Sequence, residues 1–184
     1  MSEELLIKHC SPTLAGMKTG NLFAGEFCDE GMLRECIRCW NRTLTKKGVR
    51  AVPLQFRDGR ALIYVYRPAR LGIDFRHSVS EQLLQERGYC NEKPGNCVVH
   101  LIKRLHEYEK FPHEIGLFLG YPPEDVSGFI ENHASGYKWV GGWKVYGDEE
   151  AAKKVCARYK KCTDVYWNLF SKGRTIEQLT VAAQ

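Results

Sequence analysis

Apolar residues recur at helical spacing over residues 29–46, where Leu33, Ile37, Trp40 and Leu44 share one face and Gly48 follows as a stop. Ser11-Pro12 has the form of a helix start, a hydroxyl cap followed by a proline whose missing N–H is not needed there, and predicts a helix over residues 12–23. The pattern then changes period. Residues 52–56 and 61–66 are apolar runs separated by Arg57-Asp58-Gly59-Arg60, and Asp-Gly between two such runs predicts a β-hairpin. Pro68 opens a turn or short helix. Ser78 or Ser80 caps a helix through Arg87, and Gly88 ends it.

The second half continues in the same way. A helix is predicted over residues 96–109, with Val99, Ile102, Leu105 and Tyr108 near one face. The apolar run at residues 114–119 reads as a buried strand. Pro122-Pro123-Glu124-Asp125 starts a helix with acidic residues in its first turn, where the helix dipole favours them. Residues 142–146 read as another strand. Asp148 caps a long helix to residue 170, with Val155, Tyr159, Cys162 and Tyr166 inward, and Thr175 starts a short last helix. Hairpin strands mixed with strands separated by helices predict an α+β fold, a small and mainly antiparallel sheet of about four strands covered by several helices. No repeat, low-complexity tract or linker interrupts residues 1–184, so one domain is expected.

Composition narrows the class. Hydrophobic residues make up 43% and charged residues 27%, with four Trp, nine Tyr and eight Phe, which excludes a disordered chain. No stretch approaches the apolar length of a membrane span, and acidic Glu3 and Glu4 stand where a signal peptide carries positive charge, so a cytoplasmic address is expected. In that compartment the eight cysteines are expected as free thiols rather than disulfides. The net charge of +5 would favour an anionic ligand or an acidic partner, but the positive charges are too dispersed for a nucleic-acid footprint.

Candidate chemistry centres on Cys10. Directly before the helix predicted at Ser11-Pro12, its thiolate would gain from the helix N-terminus, with Lys8 and His9 alongside, and His113 or His133 could supply a base. The competing interpretation is a small cysteine buried at a helix entrance. Arg67, Arg70 and Arg76, with His77, form a basic cluster suited to a carboxylate or phosphate, or else a solvated turn. Cys36-x-x-Cys39, with Cys28 upstream, puts two thiols on one face of a helix without a second pair to complete a zinc site. Any of the histidines at 9, 77, 100, 106, 113 and 133 could serve as a haem ligand, though none lies in a metalloprotease motif. Tyr64 and Tyr66 share a strand face that could stack on a ligand or lie under a helix. On the last long helix Lys153, Lys154, Arg158, Lys160 and Lys161 form a solvated face.

Three segments carry a resemblance. They are His9-Cys10-Ser11-Pro12-Thr13-Leu14-Ala15-Gly16 continuing to Phe23, His113-Glu114-Ile115-Gly116-Leu117-Phe118-Leu119-Gly120-Tyr121-Pro122 continuing to Val126, and Trp143-Lys144-Val145-Tyr146. Through them nearly the whole chain resembles a family of uncharacterised proteins, a domain of unknown function found mainly in anaerobic Firmicutes. The resemblance implies a stand-alone bacterial protein and a cytoplasmic address, and it carries no catalytic roles. The leading expectation is therefore a thiol-dependent enzyme with Cys10 as nucleophile and His113 assisting. Arg67, Arg70 and Arg76 would orient an anionic small molecule, and Tyr121 and Trp143 would wall its pocket. A haem- or metal-binding protein docking an acidic redox partner is the second expectation, and a non-catalytic interaction or nucleic-acid-binding protein the third.

Overall fold

The computed structural model describes residues 2–89, 93–107 and 111–183, and its architecture is α+β. The chain divides into two compact units, residues 1–68 with 161–184, and residues 69–160. Among the described residues no helix is long and apolar enough to cross a membrane.

The first unit is built on a three-stranded antiparallel sheet. Strands β1 (Gly20–Glu26), β2 (Arg50–Arg57) and β3 (Arg60–Tyr66) are ordered β1-β3-β2, so β3 is central. Asp58 and Gly59 both take positive φ, 50° and 71°, the two left-handed residues that a tight hairpin matched to strand twist requires. Pro53 sits on β2, an edge strand where a missing N–H is tolerated, and the register against β3 shifts between Pro53 and Gln55.

Helix α1 (Glu3–Leu14) packs against β1, and α2 (Glu30–Leu44) against β2. The α2 face was legible in the sequence: Leu33, Ile37, Trp40 and Leu44 are its buried residues, and Asp29 caps it by accepting from the Met32 amide at 2.6 Å. Asn41 then ties α2 to β2, donating to the Ala51 carbonyl at 2.7 Å and accepting from the Ala51 amide at 2.8 Å. Ile63 and Val65 fill the core with Leu6, Ile7, Cys10 and Leu14. Tyr64 and Tyr66 stack on each other at 4.6 Å and are buried, so their faces are not offered to solvent.

The helix expected at residues 12–23 does not form; the helix of this region ends at Leu14. Ser11-Pro12 lies in the last turn of α1 rather than at a helix start, and residues from Gly20 are strand β1. The apolar set Leu6, Ile7, Cys10 and Leu14 decided the matter, because burying that face outweighs the helix bond that Pro12 cannot make. The Ser11 hydroxyl turns back to the Ile7 carbonyl instead of capping anything downstream.

The second unit holds α3 (Pro68–Asp74), α4 (Ser78–Gln85), α5 (Pro94–Glu107), α6 (Ile115–Phe118) and α7 (Pro123–Glu131). A two-stranded ribbon follows, β4 (Trp139–Val140) with β5 (Lys144–Val145), and then α8 (Glu149–Ser171), whose residues from Lys161 onward belong to the first unit with α9 (Ile176–Leu179). Phe118 is fully buried between Phe75 at 4.9 Å and Tyr89 at 5.7 Å.

Two further expectations change. The strand at residues 114–119 is the single-turn helix α6, so the sheet has three strands, with β4-β5 a separate pair. A short run buried on every side shows no period by which helix and strand could be told apart. On α5 the inward residues are Cys97, Val98, Leu101 and Leu105, and Val99 is exposed. Tyr108 and Glu109, expected to finish that helix, lie outside the described residues. Asp148 caps the start of α8 by accepting from the Ala151 amide, and Thr175 forms a capping box with Gln178 at α9.

Candidate binding site

The second unit contains an open pocket of about 530 Å³, lined by residues of two neighbouring stretches, 111–129 and 140–144. One wall runs from Phe111 through α6 into α7. Its base is fixed by Glu114, 2% exposed, which accepts from Tyr89 Oη at 2.9 Å and Arg104 Nε at 2.7 Å, with Arg87 Nε at 3.8 Å. A buried carboxylate is tolerable only with such partners. Burial, then the Glu114 charge and hydrogen bond, push the Tyr89 phenol upward, so it stays a donor. Gly116 lets α6 and α7 close on each other: a Cβ there would stand 2.8 Å from Val126 Cγ2 and 3.3 Å from Tyr121 Cδ2. Gly120, at φ 71°, ends the turn and turns the chain toward Tyr121.

The other wall is the β4-β5 ribbon. Asp125, 3% exposed, fastens it to α7: Oδ1 accepts from the Tyr146 and Gly147 amides, each at 2.7 Å, and Oδ2 accepts from Trp143 Nε1 at 2.6 Å. Gly128 allows the ribbon to approach, since a Cβ there would fall 2.6 Å from the Tyr146 ring. Trp143 stacks on Tyr121 with centroids 4.9 Å apart, and Tyr121 Oη donates to the Gly142 carbonyl at 3.1 Å. Burial pushes the Tyr121 phenol up to about 12, so the hydroxyl remains protonated at neutral pH.

Between these walls the lining is mainly aromatic and aliphatic: Phe111, Ile115, Tyr121, Val126, Phe129 and Trp143. Among the described residues three polar ones interrupt it, His113, Asp125 and Lys144. His113 lies edge-on to Phe129 at 5.0 Å and is exposed at the rim. Lys144 Nζ donates to the Ala134 carbonyl at 2.7 Å and stands 4.6 Å from the Tyr137 centroid and 5.8 Å from that of Phe129.

A family model described as a protein of unknown function, DUF3793, matches residues 6–180. The chain belongs to that family. No curated protein and no solved structure matches it. Two of the three segments that carried the resemblance, His113–Val126 and Trp143–Tyr146, meet in the pocket of this DUF3793 chain.

Of the residues singled out from sequence, His113, Tyr121 and Trp143 all line the pocket. The others do not. Cys10 lies in the core of the first unit with no exposed surface, in the C-terminal half of α1 rather than ahead of a helix N-terminus. Burial pushes its thiol far upward, against a smaller opposing pull from Lys18, so the expected thiolate stabilisation is reversed. His9, half-buried, stacks on Phe23 at 5.5 Å, and burial followed by the Lys8 charge lowers its pKa.

The arginine cluster is likewise divided. Arg67 is buried in the first unit, where Nε donates to the Thr13 carbonyl at 2.7 Å and Nη2 to those of Leu14 and Val181, each at 2.7 Å. Its guanidinium satisfies the last carbonyls of α1. Arg70 and Arg76 are exposed in the second unit and do not line the pocket. Cys36 and Cys39 sit within α2 as expected, the first half-buried with its thiol pushed up by burial, the second exposed. Among the described residues no group of three or more His, Cys, Asp or Glu side chains is placed to hold a metal ion.

The sequence reading missed Phe111, Asp125, Phe129 and Lys144. In the sequence, the helix dipole alone accounts for Asp125. Its real partners are backbone amides about twenty residues downstream, which no local pattern announces.

Proposed function

We propose that this protein binds a small, flat, ring-bearing molecule in the pocket between α6-α7 and the β4-β5 ribbon. The observation that carries the reading is the stacked Tyr121–Trp143 pair, held by Asp125 and by the Tyr121–Gly142 hydrogen bond. Rigid aromatic faces with fixed polar tips lose little entropy on binding a planar ligand. The volume of about 530 Å³ falls within the range of small-molecule sites, and a few polar groups among apolar walls are the usual composition of one. Thiol chemistry at Cys10 draws no support from a sulfur without exposed surface.

The Trp143 indole N–H is a built-in reporter. In a ¹⁵N-labelled full-length sample its resonance, assigned by its loss in Trp143→Phe, should shift when bicyclic aromatic fragments are titrated in. Shifts confined to other parts of the chain, with the Trp143 signal unmoved, would sink the proposal.

A further inference from the structure

We infer that the occupant of this pocket is an anion, a ring-bearing carboxylate whose charged group is held by Lys144 with His113 at the rim. The inference rests on the reading of the pocket as a small-molecule site and adds the charge of its ligand.

Among the described residues two formally charged side chains line the pocket, and they differ in what they offer. Asp125 is consumed by the scaffold. Three donors converge on its two oxygens, and it is 3% exposed, so both oxygens are already hydrogen-bonded and little of the carboxylate faces a ligand. Lys144 is half-buried, and its ammonium has three N–H bonds, one of which goes to the Ala134 carbonyl. The Tyr137 and Phe129 rings steady the cation without neutralising it.

The position of this amine is enforced. His133 and Ala134 follow α7 with φ of 48° and 63°, two successive left-handed residues, neither of them glycine. Such a turn is strained, and it presents the Ala134 carbonyl to Lys144 Nζ. His113 stands against the same Phe129 ring that the ammonium faces, so both nitrogen-bearing groups flank one apolar surface. A planar acid would lay its ring among Phe129, Tyr121 and Trp143 and turn its carboxylate to Lys144. Charge-assisted hydrogen bonding in a partly water-excluded site then separates the acid from its neutral analogue.

The test uses three probes of one shape, 2-naphthoate, 2-naphthamide and 2-naphthylmethylammonium, titrated calorimetrically into the full-length protein with the Trp143 indole signal followed in parallel. The acid should bind on the order of tenfold more tightly than the amide, and the ammonium most weakly. Lys144→Met should abolish the preference for the acid while leaving amide binding in place, and Lys144→Arg should retain it. Thermal unfolding of each variant identifies any loss due to misfolding. Equal binding of acid and amide, or preference for the ammonium, would overturn the anion inference while leaving the pocket reading intact. If none of the three shifts the Trp143 signal, the pocket reading itself fails and takes this inference with it.

Discussion

Asp125 shows how much one side chain can organise. As a carboxylate it accepts from three donors, and no other side chain of its length offers only acceptors. Asp125→Asn keeps the shape but turns one oxygen into an NH₂ group. If the remaining oxygen faces the Tyr146 and Gly147 amides, the new donor meets the Trp143 N–H. The expected loss is about 1–3 kcal/mol in urea unfolding, with displacement of the Trp143 indole resonance. A variant as stable as the parent would show that the ribbon is held by packing alone. Arg67 teaches the same lesson in the first unit: its sequence neighbours suggested an anion site, whereas its hydrogen bonds go to backbone carbonyls from Thr13 to Val181.

At the scale of elements, the pocket depends on how closely α6 meets α7. Gly116→Ala would drive a Cβ to 2.8 Å from Val126 Cγ2, and the cost expected of overpacking is about 1–3 kcal/mol. Gly95 in α5 is the control. It lies in the first turn, where among the described residues a Cβ meets nothing within 4 Å, so Gly95→Ala should stay within about 0.5 kcal/mol of the parent. Equal effects from the two substitutions in thermal unfolding would remove the packing argument. Element existence was readable where a buried face stood beside clear caps or turn residues, as in α2, the β2-β3 hairpin and the capped start of α8. It was not readable at α6, buried on every side. At α1 a helix-start signal in Ser11-Pro12 lost to the apolar face that precedes it.

Across the whole molecule, burial raises Cys10, Tyr89 and Tyr121 together. The ordinary values are 9.0 for the thiol and 10.0 for the phenols, and Tyr121 is pushed up to about 12. Groups raised in the native state keep their protons after the unfolded chain has released them. Their contribution is therefore fully present below the unfolded values and is lost as pH rises from those values toward the native ones. The urea midpoint should be flat near neutrality and fall as pH passes 9 and then 10. A midpoint unchanged across that range would mean these groups are not shielded in the native state. Thiol labelling adds a second measure: Cys28 and Cys39, both exposed, should react in the native protein, and Cys10 only on unfolding.

The sequence by itself determined the α+β class, most element positions and the family, and it drew attention to His113, Tyr121 and Trp143, which the structure places around one pocket. These rest on signals carried within a few residues of one another: face periodicity, caps, turn residues and short motifs. Only the tertiary structure decided that Cys10 is core, that Arg67 serves backbone carbonyls, and that Lys144 and Asp125 line one pocket. The reason is physical. Burial and hydrogen-bond saturation belong to pairs of residues brought together by folding, and neither has a local trace in the chain.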